Sequence, residues 1–268
     1  MPKKAMNRYG KLFEKAFFDR YKGDATCVSF RRTDLEAAAS DLKIALPKNL
    51  GDVVYSFRYR NPLPERILKT QPKGKEWIIE GAGRAQYEFR LVSINRILPN
   101  ENLVTVKIPD STPEIVAAYS LSDEQALLAK IRYNRLIDIF LGITTYSLQN
   151  HLRTTVRSVG QIEIDEIYVG IDERGRQFVM PVQAKGGNDQ ISVVQAKQDI
   201  MCCVEKFPNL ICRPISTQFL ADDLIAMFEL CMEGDLVKIA SERHYRLVSS
   251  SEISDEDLIA YGIRSSSP

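Results

Sequence analysis

The sequence has little histidine and little cysteine. Only His151 and His244 occur among 268 residues, and the five cysteines contain no CxxC pair and no regular spacing. Zinc sites need clustered histidine and cysteine ligands, and disulfide frameworks need paired cysteines. The sequence therefore does not favour a zinc enzyme, a histidine-based triad or a disulfide-rich domain. We expect reduced thiols in a cytoplasmic protein.

Long apolar runs are also missing. No segment approaches the roughly 18 apolar residues that cross a bilayer, and the first ten residues lack the apolar centre of a signal peptide. The GxxxxGK[ST] pattern of phosphate-binding loops is absent too. We therefore expect no membrane partner and no nucleotide cofactor.

The net charge of +1 conceals an uneven distribution. Residues 1–110 contain 21 Lys and Arg against 13 Asp and Glu, a net charge of +8, whereas the remaining residues contain 15 against 22, a net charge of −7. A basic half joined to an acidic half indicates that the first half meets a polyanion.

Residues 161–187, QIEIDEIYVGIDERGRQFVMPVQAKGG, contain the most informative pattern. Residues 161–171 and 177–185 are rich in apolar and β-branched side chains, and the DERG segment between them has the composition of a turn. This pattern predicts two buried strands joined by a tight turn. Charged groups at the end of a buried strand are costly unless they have partners.

Alternate side chains of a strand share one face. Glu163 and Asp165 therefore share a face of the first strand, and Gln183 and Lys185 share a face of the second. A carboxylate, an amide oxygen and an ammonium group can thus converge beside the hairpin. Oxygen ligands suit Mg²⁺, and a lysine can steady an activated water or a phosphoryl oxygen.

Asp165, the turn, and Gln183-Ala184-Lys185 at the end of an apolar strand resemble the D…(D/E/Q)xK signature of the PD-(D/E)XK nuclease superfamily. The glutamine form is similar to the Mrr-type branch and to some restriction endonucleases. The resemblance covers residues 120–225. Two features depart from the common pattern. No proline precedes Asp165, and glutamine replaces the middle acid, which leaves one anionic ligand fewer.

The resemblance implies an α/β (α+β) restriction-endonuclease-like core in which Asp165, Gln183 and Lys185 are catalytic. Mg²⁺ would be held by Asp165, by the Gln183 oxygen and by Glu163 or a backbone carbonyl. The superfamily often adds an acidic residue from the helix before the sheet. Glu124 and Asp138 could fill that role, although both residues are also typical of a solvated surface. One site per chain, cutting both strands, implies a homodimer.

The first 98 residues have a different pattern. Apolar spacing predicts helices over 8–20, 33–44 and 49–60, with a strand over 25–30 before the second helix. A three- to four-residue turn should join the last two helices, and strands over 77–80 and 87–94 should form a hairpin. This order is typical of a winged-helix-like DNA-recognition domain, although many such modules bind protein.

Eight side chains of this module are candidates for contact with double-stranded DNA. Arg58 and Arg60 could read guanine edges or form a solvated helix end, and the basic residues of the hairpin could reach phosphates. The full set is Lys48, Asn49, Ser56, Arg58, Arg60, Lys73, Lys75 and Arg84.

The chain then divides into a junction over 99–120 and a nuclease-like domain over 121–268. In that domain we expect one long helix from 122 to 141, a shorter helical piece to 152, the hairpin, a helix over 191–207 and a strand over 210–218. A short helix over 221–230, paired strands over 236–247 and a tail over 249–268 whose end is frayed should complete it.

Together these patterns predict a Mg²⁺-dependent DNA endonuclease that cuts a specific double-stranded sequence, as type II restriction endonucleases do. Three alternatives remain open. The protein could be a structure-specific or repair nuclease, a non-catalytic DNA-binding regulator, or an enzyme of unrelated α/β chemistry.

Overall fold

The computed structural model describes residues 8–59, 61–93, 97–119, 124–157, 159–186, 189, 191–220, 223–234 and 236–264. The chain forms two compact units. One contains Met1–Asn95 with Thr155–Ile162, and the other contains Arg96–Thr154 with Glu163–Pro268. The expected divisions at 98 and 120 stay predictions.

The first unit combines short helices with a small antiparallel sheet. Its elements are α1 (Gly10–Phe18), β1 (Cys27–Arg31), α2 (Arg32–Leu42), α3 (Leu50–Tyr59), α4 (Glu65–Leu68), β2 (Lys75–Gly81) and β3 (Gln86–Ser93). The three strands lie in the order β1-β3-β2, and both pairings are antiparallel.

Aromatic packing holds the first unit together. Phe17 lies edge-on to Trp77 and Phe89, with ring centroids 5.1 Å apart in both pairs. Phe13 contacts Phe30 and Phe89 edge-on as well. These side chains come from α1 and all three strands, so one core joins the helix to the sheet.

The predicted helices and hairpin of this unit are confirmed within a few residues, but the turn between α2 and α3 is longer than expected. Helix α2 ends at Leu42 because Lys43 adopts a left-handed conformation with φ of 52°. Residues 43–49 then connect the two helices.

The second unit is built on a large mixed sheet. Its elements are β4 (Thr105–Pro109), α5 (Glu114–Tyr119), α6 (Glu124–Tyr133), α7 (Leu136–Leu141), β5 (Thr144–Val156), β6 (Gly160–Ile171), β7 (Gln177–Lys185), α8 (Val193–Lys206), β8 (Ile211–Cys212), β9 (Ile215–Phe219), β10 (Leu224–Glu233), β11 (Leu236–Val248), a 3₁₀ turn (Ser250–Glu252) and α9 (Asp255–Arg264). The last residues of β5 and the first residues of β6 lie within Thr155–Ile162 and therefore belong to the first unit.

Parallel and antiparallel pairs alternate irregularly in this sheet. The strand order is β4-β11-β10-β9-β7-β6-β5, and β8 pairs with β7 outside that path. Strand β7 is antiparallel to β6 and parallel to β9. It therefore lies in the interior of the sheet, and the predicted buried strands of the 161–185 hairpin are confirmed.

Apolar side chains cover both faces of the sheet. Val182 and Met227 pack in a cluster with Leu127 and Ile137 of α6 and α7. The adjacent residue Phe228 packs on the opposite face with Ala196 of α8. The alternation of side chains along each strand thus places helices on both faces of the sheet.

Several expected elements of this unit are wrong. The single helix over 122–141 is two helices, since Arg135 interrupts it in a left-handed conformation with φ of 50°. The helical piece to 152 is instead strand β5, so one more strand precedes the hairpin than the nuclease resemblance implied. Residues 236–247 belong to a single strand, β11, rather than two.

The helix expected over 221–230 is also wrong. Residues 224–233, LIAMFELCME, are good helix formers, yet they form β10 between β9 and β11. Ile225, Ala226 and Met227 are fully buried there. Burial on both faces of an interior strand therefore overrides local preference.

The tail contains the 3₁₀ turn and α9, which ends at Arg264, and the end that was expected to fray lies outside the described residues. Lys107 of β4 donates from its ammonium group to the Asp257 carboxylate at 2.9 Å, and the Tyr261 hydroxyl accepts from the Lys107 backbone N–H at the same distance. Among the described residues, no helix combines the length and apolar character needed to cross a bilayer.

Candidate functional site

The two strands of the hairpin separate where the predicted site residues begin. The last β6–β7 pair along the ladder is Glu166 with Val182. At the next position, Asp165 Oδ2 accepts a hydrogen bond from the backbone N–H of Ala184 at 3.0 Å. A side-chain oxygen thus replaces the backbone acceptor that a continued ladder would offer, and Asp165 lies beside Gln183 and Lys185.

Lys185 brings a second acid to the same place. Its Nζ lies 3.0 Å from Oε1 of Glu124, the first residue of α6. The Lys185 side chain is 17% exposed and that of Glu124 is 40% exposed. Asp138, the other acid named from the sequence, instead accepts the Thr145 backbone N–H and pairs with Arg135. The structure therefore brings only Glu124 to Lys185.

Gln183 has a buried partner that sequence reasoning missed. Its Nε2 donates to Asp199 Oδ2 at 2.6 Å, and the two residues are 1% and 2% exposed. Asp199 lies on the buried side of α8 with Ala196, Cys202 and Cys203. An acid at that helical spacing among apolar residues was a signal that could have identified it.

Both buried acids, Asp165 and Asp199, have a pKa above that of an ordinary surface carboxylate. Burial raises the pKa of Asp165, while the Ala184 N–H and the Lys185 charge oppose the shift and Glu124 adds to it. Burial also raises the pKa of Asp199 well above its usual range, against the Gln183 hydrogen bond. Both acids lie where a cation would stabilise their charged forms.

Glu163 shares a strand face with Asp165 but has other partners. Its carboxylate lies 3.2 Å from Nε of Arg153 and 3.5 Å from Nδ1 of His151. His151 adopts a left-handed conformation with φ of 47° inside β5. The expected role of Glu163 as a metal ligand stays a prediction, and His151, given no role from the sequence, lies close by.

The adjacent acid, Glu166, is fully buried on the opposite face of β6. Its Oε1 accepts from Nε and Nη2 of Arg132, at 3.0 and 2.8 Å, and from the Ser147 hydroxyl at 2.5 Å. The Arg132 pair therefore compensates a buried charge and ties α6 to the sheet.

The residues present fit a Mg²⁺ ion. Within the part of the chain that the structure describes, no group of three or more His, Cys, Asp and Glu side chains is arranged to hold a metal. The predicted set also uses an amide oxygen, and Gln183 Oε1 is buried without a hydrogen-bond partner. An orphaned amide oxygen on β7 and a desolvated carboxylate on the neighbouring strand β6 are donors of the kind that a hard cation satisfies.

Some side chains predicted to contact DNA in the first unit are exposed, whereas others are half-buried or hydrogen-bonded within the protein. The exposed ones are the four basic residues Lys48, Lys73, Lys75 and Arg84. Asn49 is exposed, but it caps α3, because its Oδ1 accepts the Gly51 N–H and its Nδ2 donates to Asp52.

The remaining predicted contacts lie on or after α3. The Ser56 hydroxyl accepts from Asn61 Nδ2 at 2.5 Å. Ser56 and Arg58 are both half-buried rather than presented to solvent. Arg60 lies outside the described residues.

Comparison of the chain with family models, with curated proteins and with solved structures finds no match.

Proposed function

We propose that the protein is a Mg²⁺-dependent endonuclease that cuts double-stranded DNA at a specific sequence. The observation that carries this proposal is the hydrogen bond from the Ala184 N–H to Asp165. It joins a carboxylate of β6 to the backbone of the residue that lies between Gln183 and Lys185 in β7, at the end of a buried hairpin. An acid, an oxygen ligand and a cationic donor are the groups that phosphodiester hydrolysis requires.

Asp165 and Gln183 Oε1 would hold the ion. When bound, Mg²⁺ lowers the pKa of a coordinated water and offsets charge on the phosphate. The Ala184 N–H fixes one oxygen of Asp165 and leaves the other for a ligand. Two interior strands position these groups, which limits their motion.

Lys185 has the electrostatic role in this mechanism. Its ammonium group can donate to the attacking water or to a phosphoryl oxygen, and its charge favours the ionised form of Asp165. Glu124 holds the ammonium group from the start of α6. Water attacks phosphorus and releases a proton to solvent, the bond to the leaving oxygen breaks, and that oxygen receives a proton from solvent.

The first unit would supply DNA recognition as a winged-helix-like module. The sequential order of its elements and the strand order β1-β3-β2 support this assignment. Lys73 and Lys75 lie at the start of the β2–β3 hairpin and Arg84 lies in its turn, all exposed, where they can contact phosphates. Cleavage of both strands by one site per chain favours a homodimer.

The test is incubation of the purified protein with supercoiled plasmid and phage DNA, with Mg²⁺ or with EDTA. We expect discrete fragments that require Mg²⁺ and that disappear in the Asp165→Ala and Lys185→Ala variants. Nicking without defined fragments would instead support a structure-specific nuclease. Salt-sensitive DNA binding without cleavage of any substrate would support a regulator and would exclude the catalytic proposal.

A further inference from the structure

Gln183 and two neighbouring residues each have one buried polar atom without a hydrogen-bond partner in the described residues. These atoms are Gln183 Oε1, Asp199 Oδ1 and Ser216 Oγ. Ser216 is the register partner of Gln183 across the parallel β7–β9 pair. Buried polar atoms are normally satisfied, so unsatisfied ones in neighbouring residues indicate a bound ion or water.

The hydrogen bond between Gln183 and Asp199 determines which end of the amide remains available. Gln183 Nε2 donates to Asp199 Oδ2 at 2.6 Å. Because Asp199 Oδ2 is the acceptor in this bond, it holds the nitrogen end of the amide on α8. The oxygen end of the amide then remains available for another ligand. Oε1 is the atom of this amide that has no hydrogen-bond partner.

Burying an acid at this position is otherwise costly. Asp199 lies among Ala196, Cys202 and Cys203 on the face of α8 that packs against the sheet. An apolar residue of similar size would avoid the desolvation of a carboxyl group. Its presence therefore calls for a reason other than packing.

We propose that Asp199 is a positioning residue that orients the Gln183 amide so that its oxygen, rather than its nitrogen, is presented to the Mg²⁺ ion. This inference rests on the proposed function. It explains how Gln183 can act as a metal ligand at the position where most members of the PD-(D/E)XK nuclease superfamily carry an acid. A freely rotating amide would present its NH₂ group to the ion in part of the molecules, and an NH₂ group cannot ligate Mg²⁺. The hydrogen bond to Asp199 prevents the orientation in which the NH₂ group faces the ion.

The experiment uses Mn²⁺ as the probe, with free Mn²⁺ measured by electron paramagnetic resonance in titrations of the full chain without DNA. Three proteins are compared: wild type, Asp199→Leu and Asp199→Asn. Leucine removes the acceptor, whereas asparagine retains an oxygen that can accept from Gln183 Nε2. We expect Asp199→Leu to weaken Mn²⁺ binding by about 10- to 100-fold, the usual effect of losing an outer-shell partner, and Asp199→Asn to bind nearly as wild type does.

A double-mutant cycle distinguishes positioning from a general structural effect. In a Gln183→Ala background no amide remains to be oriented, so Asp199→Leu should change Mn²⁺ affinity by less than about twofold. An equal loss in both backgrounds would overturn the inference. Wild-type affinity in Asp199→Leu alone would overturn it as well.

Folding is monitored by urea unfolding of each variant. If Asp199→Leu does not fold, Asp199→Ala takes its place. If neither of these variants folds while Asp199→Asn does, Asp199 has a structural role and the inference is overturned. A wild-type protein that binds Mn²⁺ but cuts no DNA would refute the endonuclease proposal, while the cycle would still decide the role of Asp199. A wild-type protein that binds no Mn²⁺ would overturn the inference even if DNA is cut.

Discussion

The carboxylate of Asp165 and the backbone of Ala184 are joined by a hydrogen bond of 3.0 Å at the point where β6 and β7 separate. The bond engages Oδ2 of Asp165, and the proposed function assigns the other oxygen to the metal ion. A substitution of Asp165 that retains an acceptor oxygen can therefore remove the negative charge without removing the hydrogen bond to Ala184.

Asp165→Asn should reduce cleavage strongly but retain the fold. Asparagine can still accept from the Ala184 N–H, but it lacks the charge that holds Mg²⁺. We expect a loss of roughly 10²–10³-fold in cleavage rate, the range found when one preorganised group is removed. Rates on plasmid DNA and midpoints of urea unfolding measure the two effects.

Glu163→Gln is the matched comparison on the same face of β6. Arg153 and His151 already engage this carboxylate, so we expect Glu163→Gln to retain cleavage within about tenfold of wild type. A loss as large as that of Asp165→Asn would instead make Glu163 a metal ligand.

Lys185→Met should reduce cleavage strongly and change stability little. The Lys185–Glu124 pair is partly exposed, and exposed ion pairs contribute about 0–1 kcal/mol. Cleavage should fall by roughly 10²–10³-fold, because the ammonium group acts where charge develops. Glu124→Gln should cause a smaller loss, since it positions Lys185 and leaves its charge in place. Equal unfolding midpoints for the three proteins would confirm that the effect is on chemistry.

Local pattern was sufficient to predict the hairpin and the strand face on which Gln183 and Lys185 lie. A strand such as β7 is apolar on both faces, and alternation places Gln183 and Lys185 on one face before any tertiary contact is known. Glu124 and Asp199 reach the same place only through packing of α6 and α8 on the sheet. The sequence therefore named Glu124 without placing it, and it did not name Asp199.

Elements whose local preference conflicts with their environment were not predictable in the same way. Residues 224–233 favour helix, but as β10 they pair with β9 and β11 on both edges. The break at Arg135 lacks a glycine or proline that would have marked it. In both places long-range contacts decide the backbone conformation.

Arg132→Met should destabilise the protein much more than Arg153→Met. Glu166 is fully buried, and removal of its arginine leaves an uncompensated charge, which costs about 3–5 kcal/mol. Arg153 pairs with Glu163 at the surface, where the side chain of Arg153 is 70% exposed, and such a pair contributes about 0–1 kcal/mol. Urea unfolding of the two variants measures the difference, and similar free energies of unfolding would contradict the structural role of Glu166.

Lys73→Ala, Lys75→Ala and Arg84→Ala should each weaken DNA binding regardless of sequence. Each loses one phosphate contact, so the slope of log K against log salt should become less steep by about 0.9 per residue. Lys238→Ala in β11 of the second unit, where Lys238 pairs with Glu233, is the control and should leave the slope unchanged. Fluorescence anisotropy over a range of salt concentrations provides the slopes. Unchanged slopes in all three hairpin variants would exclude the β2–β3 hairpin from the DNA contact.

The pH dependence of stability should differ between wild type and Asp199→Asn when EDTA is present. Because burial raises the pKa of Asp199 in the folded state, the folded protein keeps a proton that the unfolded chain releases above its pKa of about 3.9. This contribution to stability is complete below the unfolded pKa and is lost as pH rises through the folded pKa, by at most about 1.4 kcal/mol per pH unit. Asparagine does not titrate, so Asp199→Asn should gain stability relative to wild type as pH rises from 5 to 8.

Asp172→Asn is the control with the opposite sign. Burial alone would raise the pKa of Asp172, but hydrogen bonds from Arg176 and Arg174 lower it overall. Its contribution is therefore present above the unfolded pKa and is lost only in acid, below the range tested. The difference between wild type and Asp172→Asn should be constant from pH 5 to 8 in urea unfolding. If Asp199→Asn also runs parallel to wild type, Asp199 is ionised in the folded protein, and its burial must be compensated by a group other than Gln183.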